Sequence, residues 1–485
     1  MSKIYIFGIG GTGARVIRSL TMLLASGVQL GNDFDRVIPV MIDPDKSNGD
    51  LTRTVTLLKT YKSIHDQLKF GKYSKSEFFR TAIDDQNTNF KMQVADVADK
   101  DFQTYIKYLN LDHRNKALVS LLFSKKNLEA HMDVGFKGNP NMGSVVLNNF
   151  STDSENDLGT ILESFQPGDR IFIISSIFGG TGAAGFPLLL KTLRQAQSSQ
   201  LPSASFVANA PIGAITVLPY FGVMHDEESE INMDSFMSKA KAALSYYRDN
   251  LHTDALYYIS DKLTMNYENH EGDSAQRNKA HFVEMVAALS IIDFCQSNIQ
   301  HDGNKVYKEF GINENKQTLT IRNLADSTKA LIQKPLISMF VFEKFYHDHL
   351  ADTWNHAWAK DFSYAGNGKM DVSVLTHDFF VKLTKFLKDF ECEWLREMED
   401  NNRSFRPFNL DASDDQLFTS IDGFEPKKAG ILSKLTGRNL NGFGAIDNAV
   451  ADVSNELHKK LPMYDYFMDV HWQAIQKVLK NKFGI

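Results

Sequence analysis

Two glycine-rich turns contain the residue types and spacing best suited to chemistry. One lies at residues 178–185, FGGTGAAG, and the other at residues 8–13, GIGGTG. Each follows an apolar run typical of a buried strand and precedes a segment with helical periodicity. This order of elements points backbone N–H groups at a helix N-terminus, where a phosphate is favoured. The candidate phosphate-binding residues are Gly10, Gly11, Thr12, Gly13, Gly179, Gly180, Thr181, Gly182 and Ala183.

A third glycine-rich turn, GFKGNPNMG, lies between these two at residues 135–143. For one loop considered alone, a tight turn without a ligand is the alternative interpretation. Three such turns in a stretch of alternating strands and helices favour a single nucleotide held from several sides. Gly138 and Asn139 of the third turn are therefore further nucleotide-binding candidates.

Polar residues at the ends of predicted elements extend this site. Asp43 closes the predicted strand 36–42, and ligands of open α/β sheets bind at the carboxyl ends of strands. Asp43 could contact a ribose hydroxyl or a magnesium water, and Asp45 is the second candidate for the metal; a turn aspartate is the alternative. A long apolar helix predicted over residues 275–300 has a polar start. The amide of Asn278 there could read a base edge, or simply form a solvated first turn.

The composition of the whole chain excludes several classes of protein. Its 485 residues carry a net charge of −6, which argues against nucleic-acid binding because that requires a basic face. No apolar run approaches the ~20 residues of a membrane span, and no signal-peptide pattern opens the chain. Two cysteines, Cys295 and Cys392, rule out a disulfide framework and a cysteine-rich zinc site. These observations predict a cytoplasmic protein.

The order of predicted elements indicates an α/β protein with a Rossmann-like nucleotide-binding domain. This domain is expected over residues 1–300, with helix 275–300 as its long core helix. Residues 51–131 are polar and helix-rich, and are expected to form an insertion or a covering layer. Residues 301–485 are predicted to form a second, mainly helical C-terminal domain.

With these motifs in place, residues 1–300 resemble the tubulin/FtsZ superfamily of GTP-binding proteins, and most closely its divergent bacterial tubulin-like members. The central loop is similar to the family signature GGGTGTG, with Phe178 in place of the first glycine. The first loop matches GxGGxG, and the third turn resembles the FtsZ pattern GxGxxPxxG. Residues 218–221 followed by acids resemble the segment that meets the ribose, and residues 259–262 resemble the strand end Pro-Asn-Asp-Lys. By this resemblance Glu227, Asp261 and Asn278 join the nucleotide-binding candidates.

The resemblance implies GTP or GDP with Mg²⁺, and self-association head to tail into an oligomer or filament. In the family, an acidic loop after the core helix completes hydrolysis in the nucleotide site of the next subunit. The FtsZ pattern Asn-x-Asp-x-x-Asp is absent directly after the core helix of this sequence. Asp326 is the preferred catalytic candidate and Glu314 the second, although an acid at a helix start is the simpler interpretation of Asp326.

Two other functions fit parts of the pattern. One is a nucleotide-gated scaffold with little turnover that recruits a protein partner through its C-terminal region. The other is an NAD-dependent Rossmann enzyme, since Gly8, Gly10 and Gly13 together with Asp43 also satisfy that fingerprint. A dinucleotide site would leave the second and third glycine turns without a ligand, which counts against this enzyme.

Overall fold

The computed structural model describes residues 1–45, 48–86, 88–93, 97, 100–132, 136, 139–153, 156–223, 233–261, 266–267, 277–310, 316–360, 370–427, 442–457 and 461–485. Its strands are β1 Ser2–Ile9, β2 Phe34–Ile42, β3 Ala82–Ile83, β4 Lys91–Met92, β5 Arg170–Ser176, β6 Ile212–Val217, β7 Gly222–Val223, β8 Ala255–Ile259, β9 Asn266–Tyr267, β10 Val306–Glu309, β11 Thr318–Leu319 and β12 Ser404–Phe405.

The central sheet is parallel, and its middle strands are buried on both faces, whereas β10 at one edge is mostly exposed. The described strands pair in the order β10–β8–β6–β5–β1–β2–β3, and β4 also pairs with β2. Every described pair within this sheet is parallel. Helices cover both faces of such a sheet, so its strands are continuously apolar, and every residue of β6 is buried. The predicted α/β Rossmann-like class is therefore confirmed.

Helices flank this sheet and make up most of the region after residue 316. None of the described helices has both the length and the apolar character that a bilayer crossing needs. The helices are α1 Gly10–Ala25, α2 Gly49–Gln67, α3 Phe102–Tyr105, α4 His113–Leu122, α5 Lys125–Leu128, α6 Pro140–Leu147, α7 Asp157–Leu162, α8 Gly180–Arg194, α9 Ala204–Ala208, α10 Met233–Asn250, α11 Phe282–Gln296, α12 Asp326–Asp348, α13 Leu350–Thr353, α14 Ala357–Lys360, α15 Asp378–Lys388, α16 Arg396–Glu399, α17 Gly442–Glu456 and α18 Met463–Phe483.

The core helix is shorter than the sequence predicted. α11 spans Phe282–Gln296, not residues 275–300. A capping box starts it, because the His281 ring accepts the N–H of Val283 at 3.0 Å and the Glu284 carboxylate accepts the N–H of His281 at 3.0 Å. Ser297 is extended and ends the helix. Residues 277–280, including Asn278, therefore lie outside it.

Two predicted boundaries also differ from the structure. β10 lies after residue 300 yet pairs with β8, so a domain boundary at residue 300 would separate this strand from its own sheet. Residues 51–131 are only partly a helical layer, because β3 and β4 pair with β2 and extend the sheet. Strands of two residues carry too little periodicity to be recognised in a polar segment.

The C-terminal region is mainly helical, as predicted, and packs closely on the N-terminal half. Trp394 is fully buried, and its indole N–H donates to Ser19 Oγ of α1 at 3.1 Å. In α18, the Asp465 carboxylate accepts the N–H groups of Lys69 and Phe70 just after the end of α2. The two halves thus share buried polar contacts as well as apolar ones.

Candidate functional site

The strand register brings the predicted loops to one edge of the sheet. Ile9 of β1 lies beside Ile42 of β2, and Gly8 lies beside Ile174 of β5. Chain segments that leave these strands at their carboxyl ends are therefore neighbours. The first glycine turn, the central glycine turn and Asp43 all follow at this carboxyl edge, where the sequence placed them.

The two glycine turns contact each other. Gly10 has φ +73°, a conformation that favours glycine, and a Cβ added there would lie 3.8 Å from Thr181 Cβ. The central turn folds tightly on its own strand, because a Cβ at Gly182 would lie 2.8 Å from the carbonyl oxygen of Ser176. The loops that the sequence treated as parts of one cradle are thus adjacent in space.

Two helix N-termini meet at this cradle. Among the described residues, no side chain caps α1 or α8, and neither helix has an acid in its first turn. The first N–H groups of a helix lack partners within it, and the helix dipole makes that end positive. Two such ends side by side suit the oxygens of a di- or triphosphate.

The third glycine turn supports the central one rather than repeating its arrangement. α6 is capped by Asn139, whose side-chain oxygen accepts the N–H of Asn141 at 3.1 Å and of Met142 at 3.3 Å. Gly143 lets α6 approach α8, because a Cβ there would lie 3.0 Å from the carbonyl oxygen of Gly180. Gly138 lies outside the described residues.

Phe178, the departure from the family signature, is an apolar anchor. Its ring is buried, with centroids 5.4 Å from Phe221 and 6.3 Å from Tyr220 in edge-on arrangements. Aromatic rings favour this geometry. The side chain therefore fixes the central turn against the segment that follows β6.

A buried charge cluster lies directly beside the first glycine turn, and the sequence analysis missed it. The Arg15 guanidinium donates to Asp50 at 2.6 Å and to Glu284 at 2.5 Å. It also donates to Tyr220 Oη at 3.0 Å and to Thr12 Oγ1 at 3.3 Å. Tyr220 in turn donates to Glu284 at 2.6 Å. All four partners and Arg15 itself are buried.

The electrostatics of this cluster favour a charged Arg15. Burial lowers the pKa of Arg15, but Tyr220, Glu284 and Asp50 more than offset it, so the pKa lies well above its ordinary value. Burial raises the pKa of Tyr220 well above its ordinary value, which keeps the phenol protonated as a donor. A fixed cation is thus held within hydrogen-bond distance of the Thr12 hydroxyl in the first glycine turn.

The cluster continues into the C-terminal region. Arg53 lies 3.1 Å from Asp50, and its guanidinium also contacts Glu397 at 2.8 Å. Arg18 donates to the other oxygen of Glu397 at 2.6 Å. Asn278 joins through its backbone, since its N–H donates to Asp50 at 3.2 Å and its carbonyl accepts from Arg53.

The acids proposed for the metal lie at the end of β2. The pKa of Asp43 is raised to about 7, mainly by burial; the N–H of Asp45 lowers this pKa, and the charges of Asp45 and Asp50 raise it. Asp43 accepts that N–H at 3.1 Å, and Asp45 is buried. Within the described part of the chain, no group of three or more His, Cys, Asp or Glu side chains converges as a metal site. A metal here would need ligands from its substrate as well.

The remaining predicted residues have different surroundings. Asp261 follows β8 at the same edge and forms an ion pair with Arg403, at 3.3 Å. Asp326 is the first residue of α12, and its fully exposed carboxylate lies 3.2 Å from Lys329. Glu227 and Glu314 lie outside the described residues. The roles assigned to all of them stay predictions.

The first acid after the core helix is Asp302, which the sequence analysis did not consider. α11 ends at Gln296, and in the turn that follows Asp302 accepts the N–H of Asn304 at 2.9 Å. Backbone hydrogen bonds in the turn lower the pKa of Asp302, so its exposed carboxylate is ionised. Val306 begins β10 and donates to the carbonyl of Asp254 at the start of β8. Asp302 therefore lies at the amino edge of the sheet, opposite the glycine turns.

Comparison with solved structures returns archaeal tubulin-like proteins. CetZ2 from Haloferax volcanii, solved as a GTPγS-bound protofilament, is 14% identical over 54% of this chain and 49% of its own, with a TM-score of 0.26. A point mutant of FtsZ from M. jannaschii is 17% identical over 53% and 46%, with a TM-score of 0.27. An empty FtsZ dimer from M. jannaschii is 17% identical over 60% and 53%, with a TM-score of 0.29.

These proteins belong to the superfamily that the glycine motifs resemble. The matched part spans about half the length of each of them. Comparisons with protein-family profiles and with curated protein sequences return no match. At these identities and TM-scores the superpositions concern the fold alone, and they carry no argument about what this chain binds or does.

Proposed function

We propose that this chain binds GTP through its phosphates at the carboxyl edge of the sheet, and hydrolyses it on self-association. One observation carries the proposal. The N-termini of α1 and α8, with no described side chain capping them, meet where a Cβ at Gly10 would lie 3.8 Å from Thr181. Backbone amides and two helix dipoles favour the same anion there. The preference for GTP rests on the resemblance of the glycine motifs to the tubulin/FtsZ superfamily.

The residues beside this cradle fit a magnesium ion that accompanies the phosphates. Mg²⁺ in nucleotide sites is bound by one or two carboxylates together with phosphate oxygens and waters. Asp43 and Asp45 would hold it, and a cation bound there would lower the raised pKa of Asp43 and keep its carboxylate ionised. When bound, the ion would neutralise charge that develops on the phosphates.

The placement of an acid at the opposite edge of the sheet supports the proposal of head-to-tail self-association. The glycine turns lie at the carboxyl edge and Asp302 at the amino edge, so stacked copies would bring one to the other. An ionised carboxylate can orient a water molecule toward a γ-phosphate. We therefore add Asp302 to the catalytic candidates Asp326 and Glu314.

The test measures GTP turnover and sedimentation over a range of protein concentrations, with MgCl₂ present. Turnover per molecule is expected to rise with concentration, together with GTP-dependent pelleting. Asp302→Asn and Asp326→Asn form a matched pair, because both acids are exposed. Asp302 lies in the turn before β10, and Asp326 is the first residue of α12. Loss of turnover with retained GTP binding in only one of them identifies the acid. Failure of the wild-type protein to bind GTP would refute the proposal.

The other two functions are separate outcomes of the same measurements. Tight GTP binding with flat, negligible turnover and no pellet would support the nucleotide-gated scaffold. Binding of NAD that excludes GTP would support the Rossmann enzyme. Titrating each nucleotide against the wild-type protein distinguishes the two before any variant is made.

A further inference from the structure

Residues 102–130 form a small, mainly helical unit, here called the helical knob. An antiparallel bridge between Asp101 and His131 closes its base, reinforced by the N–H of Phe102 donating to the carbonyl of Ala130 at 3.0 Å. Inside it, the rings of Phe102 and Phe123 pack with centroids 4.8 Å apart. The knob thus has a base and a core of its own.

The main helix of the knob turns its leucines outward. None of the ten residues of α4, all of which are described, is buried. Leu118, Leu121 and Leu122 share one face by their spacing and are 53%, 85% and 60% exposed. A surface helix normally buries such a stripe. An exposed apolar patch of this kind marks a site of interaction.

The opposite face of α4 holds the helix to the rest of the knob. Lys116 Nζ donates to the carbonyl of Leu109 at 2.8 Å, and the hydroxyls of Ser120 and Tyr108 lie 2.9 Å apart. Val119 packs against the hydrophobic core. The outward direction of the leucines is therefore fixed by the contacts behind them.

The knob is basic, whereas the chain as a whole is acidic. It carries five Lys or Arg against two acids, a net charge of +3, while the full chain carries −6. Arg114 lies one helical turn before Leu118, and two lysines follow α4 directly. The basic residues are Lys107, Arg114, Lys116, Lys125 and Lys126, and the acids are Asp112 and Glu129.

We propose that the helical knob docks this protein on the surface of an anionic lipid bilayer. The leucines would enter the boundary between headgroups and acyl chains, and the cations would lie at the level of the headgroups. Charge argues against a contact between two knobs, because two units of net +3 repel each other. Charge also sets the orientation, because the rest of the chain is repelled by the same surface. The inference does not depend on the proposed nucleotide site.

The test is co-flotation of the full chain with two kinds of vesicle, phosphatidylcholine alone and phosphatidylcholine with about 30% phosphatidylserine, a fraction that gives a strong surface potential. Binding is expected to the anionic vesicles and to weaken as salt is raised. Leu118→Ser/Leu121→Ser/Leu122→Ser is expected to weaken it about tenfold or more. Arg114→Glu/Lys125→Glu is expected to weaken it at least about 25-fold, at about fivefold per charge removed.

A matched control tests whether exposed apolar residues elsewhere on the protein contribute equally to vesicle binding. Val372→Ser/Val381→Ser removes side chains that are 58% and 52% exposed outside the knob, and binding should not change. Unchanged thermal unfolding in all variants shows that the fold is kept, as expected for surface positions. Absence of wild-type binding to anionic vesicles, or undiminished binding by the leucine variant, would overturn the proposal. So would loss of self-association by the leucine variant in vesicle-free sedimentation, which would assign the face to a second copy.

Discussion

The close approach of the central glycine turn to its own strand gives a sharp test of the cradle. A Cβ at Gly182 would lie 2.8 Å from the carbonyl oxygen and 2.9 Å from the backbone nitrogen of Ser176. At Gly179, three residues earlier, the nearest atom would be Ser176 Oγ at 2.9 Å. Backbone cannot move without shifting α8 from β5, whereas a hydroxyl can rotate away. The two glycines therefore form a matched pair for substitution by alanine.

The expected magnitudes follow from this difference. Gly182→Ala should lower the free energy of unfolding by about 1–3 kcal/mol, the cost typical of forcing extra volume into a packed site. The displaced helix N-terminus should also weaken GTP binding by about tenfold or more, which corresponds to about 1.4 kcal/mol. Gly179→Ala should change the free energy of unfolding by less than about 0.5 kcal/mol, because the Ser176 hydroxyl can rotate away from the added methyl group.

Urea denaturation and GTP titration of the same three proteins measure both effects. Equal GTP affinities for the wild-type protein and Gly182→Ala would refute the idea that α8 holds the phosphates, even if stability falls. Equal losses of unfolding free energy for Gly179→Ala and Gly182→Ala would instead show that the backbone contact at Ser176 does not determine the conformation of the turn. Only a large loss of stability for Gly182→Ala together with a small one for Gly179→Ala supports the proposed role of the backbone contact.

Three further predictions concern the charges around this site. Arg15→Met should lower the free energy of unfolding by about 3–5 kcal/mol in urea denaturation, because Glu284 stays buried without its cation and Asp50 keeps only Arg53. Arg36→Met removes an exposed partner of Asp84 and should cost less than about 1 kcal/mol. Asp43→Asn should stabilise the nucleotide-free protein at pH 8 but hardly at pH 4. The pKa of Asp43 is raised to about 7 in the folded protein, so ionising Asp43 costs stability progressively as pH rises through this range. A difference in stability between the variant and the wild-type protein that is independent of pH would contradict this prediction. A fragment that ends at residue 310 should not unfold cooperatively, because its Arg18 and Arg53 lack their partner Glu397. A sharp urea transition would contradict this prediction and show that the fragment folds alone.

The parts of the fold that depend on local pattern could be predicted from the sequence. Continuous apolar runs mark β1, β5 and β6 because strands buried on both faces need no alternation. A glycine-rich turn followed by helical periodicity marks the start of α1 and of α8, and this pattern too is contained in a short stretch of sequence. Since carboxyl ends of parallel strands meet at one edge, even the meeting of the two turns follows from the elements alone.

The parts of the fold that depend on contacts between residues far apart in the chain could not be predicted from the sequence. Arg15 and Glu284 each look misplaced in an apolar helix, and that misplacement is the only local signal of their contact across 269 positions. The late start of α11, at residue 282 and not 275, depends on a ring nitrogen of His281 acting as a cap, and histidine is not a common capping residue. The outward leucines of α4 have ordinary helical spacing, so the sequence alone predicts a buried face where the structure has an exposed one.

The buried charges explain why the two halves of the chain should not be treated as separate domains. A charge that leaves water must find a partner, and Arg18 and Arg53 of the N-terminal half both find Glu397 of the C-terminal half. The same carboxylate accepts the N–H of Ala280 at 2.8 Å, just before the core helix. Through Asp50 and Arg15 this chain of contacts reaches the Thr12 hydroxyl in the first glycine turn. A phosphate bound at that turn would thus act on the Arg15 guanidinium, whose partners Asp50 and Glu284 lie on α2 and α11. Asp50 connects in turn to Glu397 through Arg53. We therefore expect a movement of the first glycine turn to be coupled to a movement of the C-terminal region, because breaking these pairs would leave buried charges with fewer partners.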